Sequence, residues 1–170
     1  MIQSSNILKF TSLPGGFISK GEGLIKGRRK TEFLERATVA EAMTSRVISF
    51  KEDTLLNLAA EVAVQVGHVI YPVINDDNRL CGVVYYENII RYVRKGGGEI
   101  KAGDICHTSY QIIGPNESLK KAMEHMVKGE VGRLVVVEPE EPDLLLGIIS
   151  RGDVLKFYTD NRDQEEDDHK

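Results

Sequence analysis

The sequence predicts an α/β (α+β) fold made of two copies of one β-α-β-β-α unit, and three observations predict it. The same pattern of apolar and polar residues runs twice between residues 39 and 158. The offsets between copies are nearly constant: 64 residues from Thr54 to Ser118, 63 from Tyr71 to Leu134 and 65 from Gly82 to Gly147. Within each copy a helical period alternates with short β-branched runs. A unit of about 60 residues is marginal alone, so each copy should be stable chiefly when its apolar face meets the other.

Residues 1–36 read as an irregular basic lead-in, because Pro14-Gly-Gly16, Gly21, Gly23 and Gly27 interrupt any period. Repeat 1 spans 37–98. It opens with Val39-Ala-Glu-Ala-Met43 and a short strand at Val47-Ile48-Ser49-Phe50. Asp53 or Thr54 then offers a helix cap, and Leu55, Leu58, Ala59, Val62 and Val66 form one helical stripe. The strand Ile70-Tyr-Pro-Val-Ile74, the polar turn Asn75-Asp-Asp-Asn78 and the strand Leu80-Cys-Gly-Val-Val84 follow, and a helix from Glu87 to Lys95 stops at Gly96-Gly-Gly98. Repeat 2 spans 99–158: Ala102-Gly-Asp-Ile105, the strand Gln111-Ile-Ile113, and a helix capped by Ser118 with Leu119, Ala122, Met123 and Met126 on one face. The strands Leu134-Val-Val-Val137 and Leu144-Leu-Leu-Gly-Ile-Ile149 and a helix from Gly152 to Tyr158 complete it. Residues 159–170, with six acids against Arg162 and Lys170, read as an acidic disordered tail.

An apolar content of 41%, a charged content of 28% and a net charge of −4 are those of a globular domain. No apolar run approaches the roughly 20 residues that span a bilayer. The N-terminus, Met-Ile-Gln-Ser-Ser-Asn, lacks the features of a secretory signal, so a cytoplasmic location is expected. Cys81 and Cys106 read as reduced core residues. Residues 1–38 hold seven Lys or Arg against three Glu. The cluster Lys26-Gly-Arg-Arg-Lys30 has no interleaved aromatics to stack bases, so it reads as a solvated linker and no nucleic-acid partner is expected. His107, His125 and His169 have no companions at ligand spacing, so no metal site is expected. No catalytic constellation is found, and the chain reads as a binding protein rather than an enzyme.

The motif with most chemistry is Gly147-Ile-Ile-Ser150-Arg-Gly-Asp153, at a strand-to-helix junction where free helix amides face outward. Ser150 and Arg151 can hold a phosphate, and Asp153 can accept two hydrogen bonds from a ribose diol. The alternative is a helix cap, in which Ser150 or Asp153 simply satisfies those amides. Repeat 1 carries Gly82-Val-Val-Tyr85-Tyr-Glu-Asn88 at the same place, with bulky Tyr85 and neutral Asn88.

These residues, in this order and in two copies, resemble the cystathionine-β-synthase (CBS) domain in its paired form, the Bateman module. The resemblance covers residues 37–158. It implies two repeats related by a pseudo-twofold axis and packed through their sheets, a regulatory role, an adenine nucleotide (ATP, ADP or AMP) between the copies, and a homodimer. In the Gly-x-x-Ser/Thr-x-x-Asp pattern, the family assigns the ribose to Asp153 and a phosphate or nearby sugar to Ser150. Adenine is then gripped by the other copy, here Arg46, Val47 and Ile48 with Gly67, His68, Val69, Ile70, Tyr71 and Pro72. The backbones of Ile48 and Val69 would read its edge, and His68 would pack on its face or merely cap a helix end. The first-copy motif is degenerate, so a weaker second site is expected at Asn88 and Arg133, and one nucleotide per chain. Val135 replaces a usual proline, and Gly132-Arg133 only half matches the basic pair of some nucleotide-sensing members. The segment Ile25–Met43 is similar to the linker that joins the last membrane helix of prokaryotic CLC-type chloride channels and transporters to their CBS pair. That likeness implies the regulatory domain of a membrane transport protein. A stand-alone structural dimerisation unit with an empty cleft is the competing reading.

Overall fold

Each short β-branched run becomes a strand and each amphipathic run a helix, twice over. The computed structural model describes residues 32–167, so the cluster at 26–30, most of the lead-in and His169 lie outside the described residues. A helical turn at 32–36 leads to α1 (Val39–Ala42), β1 (Phe50–Lys51), α2 (Leu56–Val66), β2 (Ile70–Ile74), β3 (Leu80–Tyr85) and α3 (Tyr86–Arg94). The order then repeats as α4 (Ala102–Ile105), β4 (Ile112–Ile113), α5 (Leu119–Lys128), β5 (Arg133–Glu138), β6 (Glu141–Ser150) and α6 (Arg151–Asp167). Two three-stranded sheets result, β1-β2-β3 and β4-β5-β6, each with a parallel outer strand and an antiparallel hairpin. Among the described residues no helix is long and apolar enough to cross a membrane.

The registers match between sheets. Val73 lies opposite Gly82 as Val136 lies opposite Gly147, and Ile70 lies opposite Tyr85 as Arg133 lies opposite Ser150. The two sheets meet through Leu80, Val83, Val135 and Val137. This is the paired α+β arrangement expected from the repeats.

The opening turns are exchanged between repeats. Val39 of α1 is fully buried with Leu119, Ala122, Met126 and Ile149 of repeat 2, while Ala102 of α4 is fully buried with Leu56, Ala59 and Tyr71 of repeat 1. Backbone bonds follow the same exchange: the Val39 N–H donates to the Glu117 carbonyl at 2.8 Å, and the Ala102 N–H to the Thr54 carbonyl at 2.8 Å. Neither packing unit therefore coincides with 37–98 or 99–158.

Several local expectations differ. The N-cap of α2 is Leu55 rather than Asp53 or Thr54, and no side chain caps it. Its first amides, Leu56 and Asn57, instead donate to the Ile100 and Gly98 carbonyls at 2.8 and 3.0 Å, so the inter-repeat linker supplies the acceptors. The helix buries Leu56, Ala59, Ala60 and Ala63, leaving Leu58 and Val62 50% and 37% exposed. Apolar residues occur nearly all around this helix, so periodicity did not single out the buried face. Ser118 does cap α5, accepting from the Lys121 N–H at 3.2 Å. The leading strand is shorter than Val47–Phe50, since only Phe50 and Lys51 pair with β2. The last helix, α6, does not stop at Tyr158 but continues through the acidic stretch to Asp167.

Candidate functional site

Beta pairing brings the second-copy motif to the first copy's leading segment. The Thr44 N–H donates to the Ile148 carbonyl at 2.9 Å and the Ile148 N–H to the Thr44 carbonyl at 3.0 Å. Residues 44–48 therefore run beside the end of β6, and a cleft of about 190 Å³ opens there. It is lined by Thr44, Arg46, Val47, Ile48, His68, Ile70, Arg133, Ile148, Ser150 and Asp153. Seven of the residues expected for the main site are brought together: Arg46, Val47, Ile48, His68, Ile70, Ser150 and Asp153. Arg133, expected only in a weaker site, joins them because it pairs with Ser150 across the ladder.

Ser150 and Asp153 form a reciprocal cap. The Ser150 N–H and hydroxyl donate to Asp153 Oδ2 at 2.8 and 2.6 Å, and the Asp153 N–H donates to Ser150 Oγ at 3.2 Å. The cap and the ligand readings are compatible. Asp153 Oδ1 has no hydrogen-bond partner among the described residues, and neither do the side chains of Arg46 and Arg133. The cleft thus holds two cations, one carboxylate oxygen and the apolar side chains of Val47, Ile48, Ile70 and Ile148. That set suits a ligand with a flat apolar body, a hydroxylated middle and an anionic end.

Other expected residues lie elsewhere. Arg151 does not enter the cleft; its Nη2 donates to the Met126 and Val131 carbonyls at 3.2 and 3.0 Å, fixing the α5–β5 loop. Tyr71 is fully buried, with its hydroxyl accepting from the His68 N–H at 3.1 Å and donating to the Ala63 carbonyl at 3.3 Å. Desolvation pushes its phenol pKa up. Pro72 is buried in β2, and Gly67 is the left-handed C-cap of α2 at φ 71°. Val69 does not line this cleft, and its carbonyl already accepts from the Tyr86 N–H at 2.9 Å. Burial also pushes the Cys81 and Cys106 thiol pKa values up; both are free thiols, half-buried.

A second, larger cleft of about 440 Å³ lies at the pseudo-equivalent place. Its wall includes Val69, Ile70, Tyr85, Ser109, Tyr110, Gln111, Glu130, Val131, Arg133 and Val135. Asn88, expected here, is 9% exposed and otherwise engaged. It accepts from Arg91 Nη2 at 2.7 Å through Oδ1, and its Nδ2 lies 2.9 Å from His107 Nε2. Sequence reasoning missed Thr44, Ile148 and the whole Ser109–Gln111 wall. One signal was present: Gly82 and Gly147, inside strands, mark close backbone approach. A Cβ on Gly147 would lie 2.8 Å from the Thr44 carbonyl oxygen, and one on Gly82 would lie 2.8 Å from that of His107.

The comparisons with known proteins agree with this fold. The chain is 27% identical over 125 residues to a homoserine O-acetyltransferase of Methanococcoides burtonii, and 29% identical over 137 residues to the uncharacterized protein MJ1225 of Methanocaldococcus jannaschii. Those alignments take in 74% and 79% of this chain but only 25% and 48% of the relatives, so the chain spans at most about half their length. The solved structure of CBSX2 in complex with AMP is similar at 25% identity and a TM-score of 0.62, over 74% of this chain and 98% of that one. The CBS domain of a bacterial CNNM/CorC family Mg2+ transporter shares the fold at 18% identity and a TM-score of 0.66, over 82% and 95%. A family model described as the CBS domain matches twice, at residues 39–95 and 102–160, so the chain belongs to the CBS domain family and is a tandem CBS pair.

Proposed function

We propose that this CBS pair is a regulatory module that takes an adenine nucleotide, ATP, ADP or AMP, in the cleft between residues 44–48 and the end of β6. One observation carries the reading: exchanged β pairing sets Arg46, Val47 and Ile48 of one repeat against Ser150 and Asp153 of the other. In it, the free Oδ1 of Asp153 takes a ribose hydroxyl, Arg46 and Arg133 take phosphate, and the adenine lies against Val47, Ile48 and His68. AMP in the similar CBSX2 structure supports the ligand class. Because the cleft draws on both repeats, a bound nucleotide stabilises one relative placement of them and so biases an attached partner.

The attached partner in this reading is a membrane transport domain of the CLC chloride channel or transporter type. The likeness of Ile25–Met43 supports it, and the shared fold of the CBS domain of an Mg2+ transporter is in keeping with it. The module acts at the cytosolic face of the membrane and as a homodimer; Leu58 and Val62, one turn apart and exposed on α2, are the surface that supports pairing. Catalysis forms no part of the reading, and the acetyltransferase alignment covers only a quarter of that relative. A stand-alone structural unit with an empty cleft is less favoured, because Arg46 and Arg133, which have no partner among the described residues, would line the cleft without purpose.

Thermal-shift titration with ATP, ADP and AMP tests the reading. A ligand at about 100 times its Kd adds roughly 2.7 kcal/mol to stability, a shift of several degrees. No shift at millimolar nucleotide sinks it. Methyl NMR places the ligand: AMP is expected to move the Ile48 and Ile148 signals, and Asp153→Ala is expected to abolish those movements while the apo chain stays folded. Unchanged movements in Asp153→Ala would refute the ribose contact.

A further inference from the structure

The two clefts share a wall. Ile70 and Arg133 line both of them, and they occupy equivalent positions, opposite Tyr85 and Ser150 in their hairpins. Where repeat 2 carries an arginine, repeat 1 carries an isoleucine, so this common wall holds one cation where perfect symmetry would have placed two. The clefts differ in what else they hold. Thr44 pairs with Ile148 as His107 pairs with Val83, which makes Ser109 the counterpart of Arg46. The smaller cleft therefore has a cation of its own in Arg46. Among the described residues the larger cleft has Arg133 as its only lining cation, together with Glu130 of opposite sign.

We propose that Arg133 makes the two clefts antagonistic, so that an anionic ligand in one weakens the binding of an anionic ligand in the other. The inference rests on the reading of the smaller cleft as a nucleotide site and adds its regulation. The Arg133 side chain is half-buried and has no partner among the described residues, so it is available to either side. If its guanidinium swings to a phosphate in the smaller cleft, the larger loses its lining cation. If it stays between the two, it is already neutralised by the first phosphate, and the second meets like charge at short range. Either way the second anion lacks a charge-assisted hydrogen bond, whose loss corresponds to about tenfold or more in affinity. Reciprocity requires the same factor in both directions. A chain with two clefts would then fill them one after the other with a phosphorylated ligand.

Methyl NMR on the full chain titrated with AMP separates the clefts, because Ile48 and Ile148 line only the smaller one and Val131 and Val135 only the larger. In the wild-type chain the Val131 and Val135 signals are expected to titrate only after the Ile48 and Ile148 signals saturate. In Asp153→Ala, which disables the smaller cleft, the Val131 and Val135 midpoint is expected to fall by about tenfold or more. Arg133→Ile, the residue of the equivalent position, is expected to remove that difference. An unchanged midpoint in Asp153→Ala, or no response of Val131 and Val135 in either chain while Ile48 and Ile148 respond in wild type, overturns the antagonism alone. No response of Ile48 and Ile148 in the wild-type chain overturns the nucleotide reading itself, and the antagonism with it.

Discussion

Asp153 and Asn88 show how one atom separates two pseudo-equivalent positions. Asp153 spends Oδ2 on the cap of α6 and keeps Oδ1. Asn88 has one oxygen, and Arg91 occupies it. Because that oxygen accepts, the amide turns its NH2 group toward His107 Nε2 at 2.9 Å. Asn88 is thus engaged by its own neighbours, which the sequence could only suggest. A second cap has a pH signature. Glu41 accepts from the Thr38 N–H and hydroxyl at 2.7 and 2.8 Å. The bond from the Thr38 backbone, then that from its side chain, lowers the Glu41 pKa below the usual 4.5. A depressed carboxylate stabilises the fold above pH 4.5 and loses that contribution as pH falls through its folded pKa. Thr38→Ala is expected to cost about 1 kcal/mol at pH 7 by denaturant titration. Part of that difference should vanish below pH 4, and a constant difference would count against the box.

At the scale of the element, the Leu-x-Gly-Val-Val and Leu-Leu-Gly-Ile-Ile strands acquire a shared cause. Each glycine lies where the opening segment of the other repeat crosses the hairpin. A Cβ on Gly82 would meet the His107 carbonyl oxygen at 2.8 Å and Cys106 Sγ at 3.0 Å, and one on Gly147 would meet the Thr44 carbonyl oxygen at 2.8 Å and Met43 Sδ at 2.9 Å. A methionine side chain can yield, but a paired backbone carbonyl cannot without losing its bridge. Gly82→Ala and Gly147→Ala are each expected to destabilise the fold by about 1–3 kcal/mol in chemical denaturation, and Gly147→Ala also to disturb the Ile148 methyl environment. Near-neutral variants would show that the crossing segments are not held there. The α5 face was legible in advance because its polar residues are segregated, whereas α2 exposes Leu58 and Val62 that sequence alone assigned to the core.

For the whole molecule, the exchange of α1 and α4 makes each hydrophobic unit depend on both repeats. A fragment spanning 37–98 lacks Ala102 and Ile105, which pack on the repeat 1 core, and strands the Leu56 N–H without the Ile100 carbonyl. Such a fragment is expected to be largely unfolded by circular dichroism, while mixing it with a 99–170 fragment restores structure. A fragment 37–98 that folds cooperatively alone would contradict the interlock. The sequence by itself determined the duplication, the kind and order of nearly every element and the strand-to-helix motif with Ser150 and Asp153, because these follow from local period, turn chemistry and composition. It also brought Arg46, Val47, Ile48 and His68 into the same prediction, through family likeness. Only the tertiary structure decided which face of α2 is buried, that Arg151 holds a loop, that Tyr71 and Pro72 belong to the core, and that Arg133 stands between two clefts. Those outcomes depend on which segments meet in space, within a repeat for Arg151 and Tyr71 and between the repeats for α2 and Arg133, and such meetings leave no local period to read.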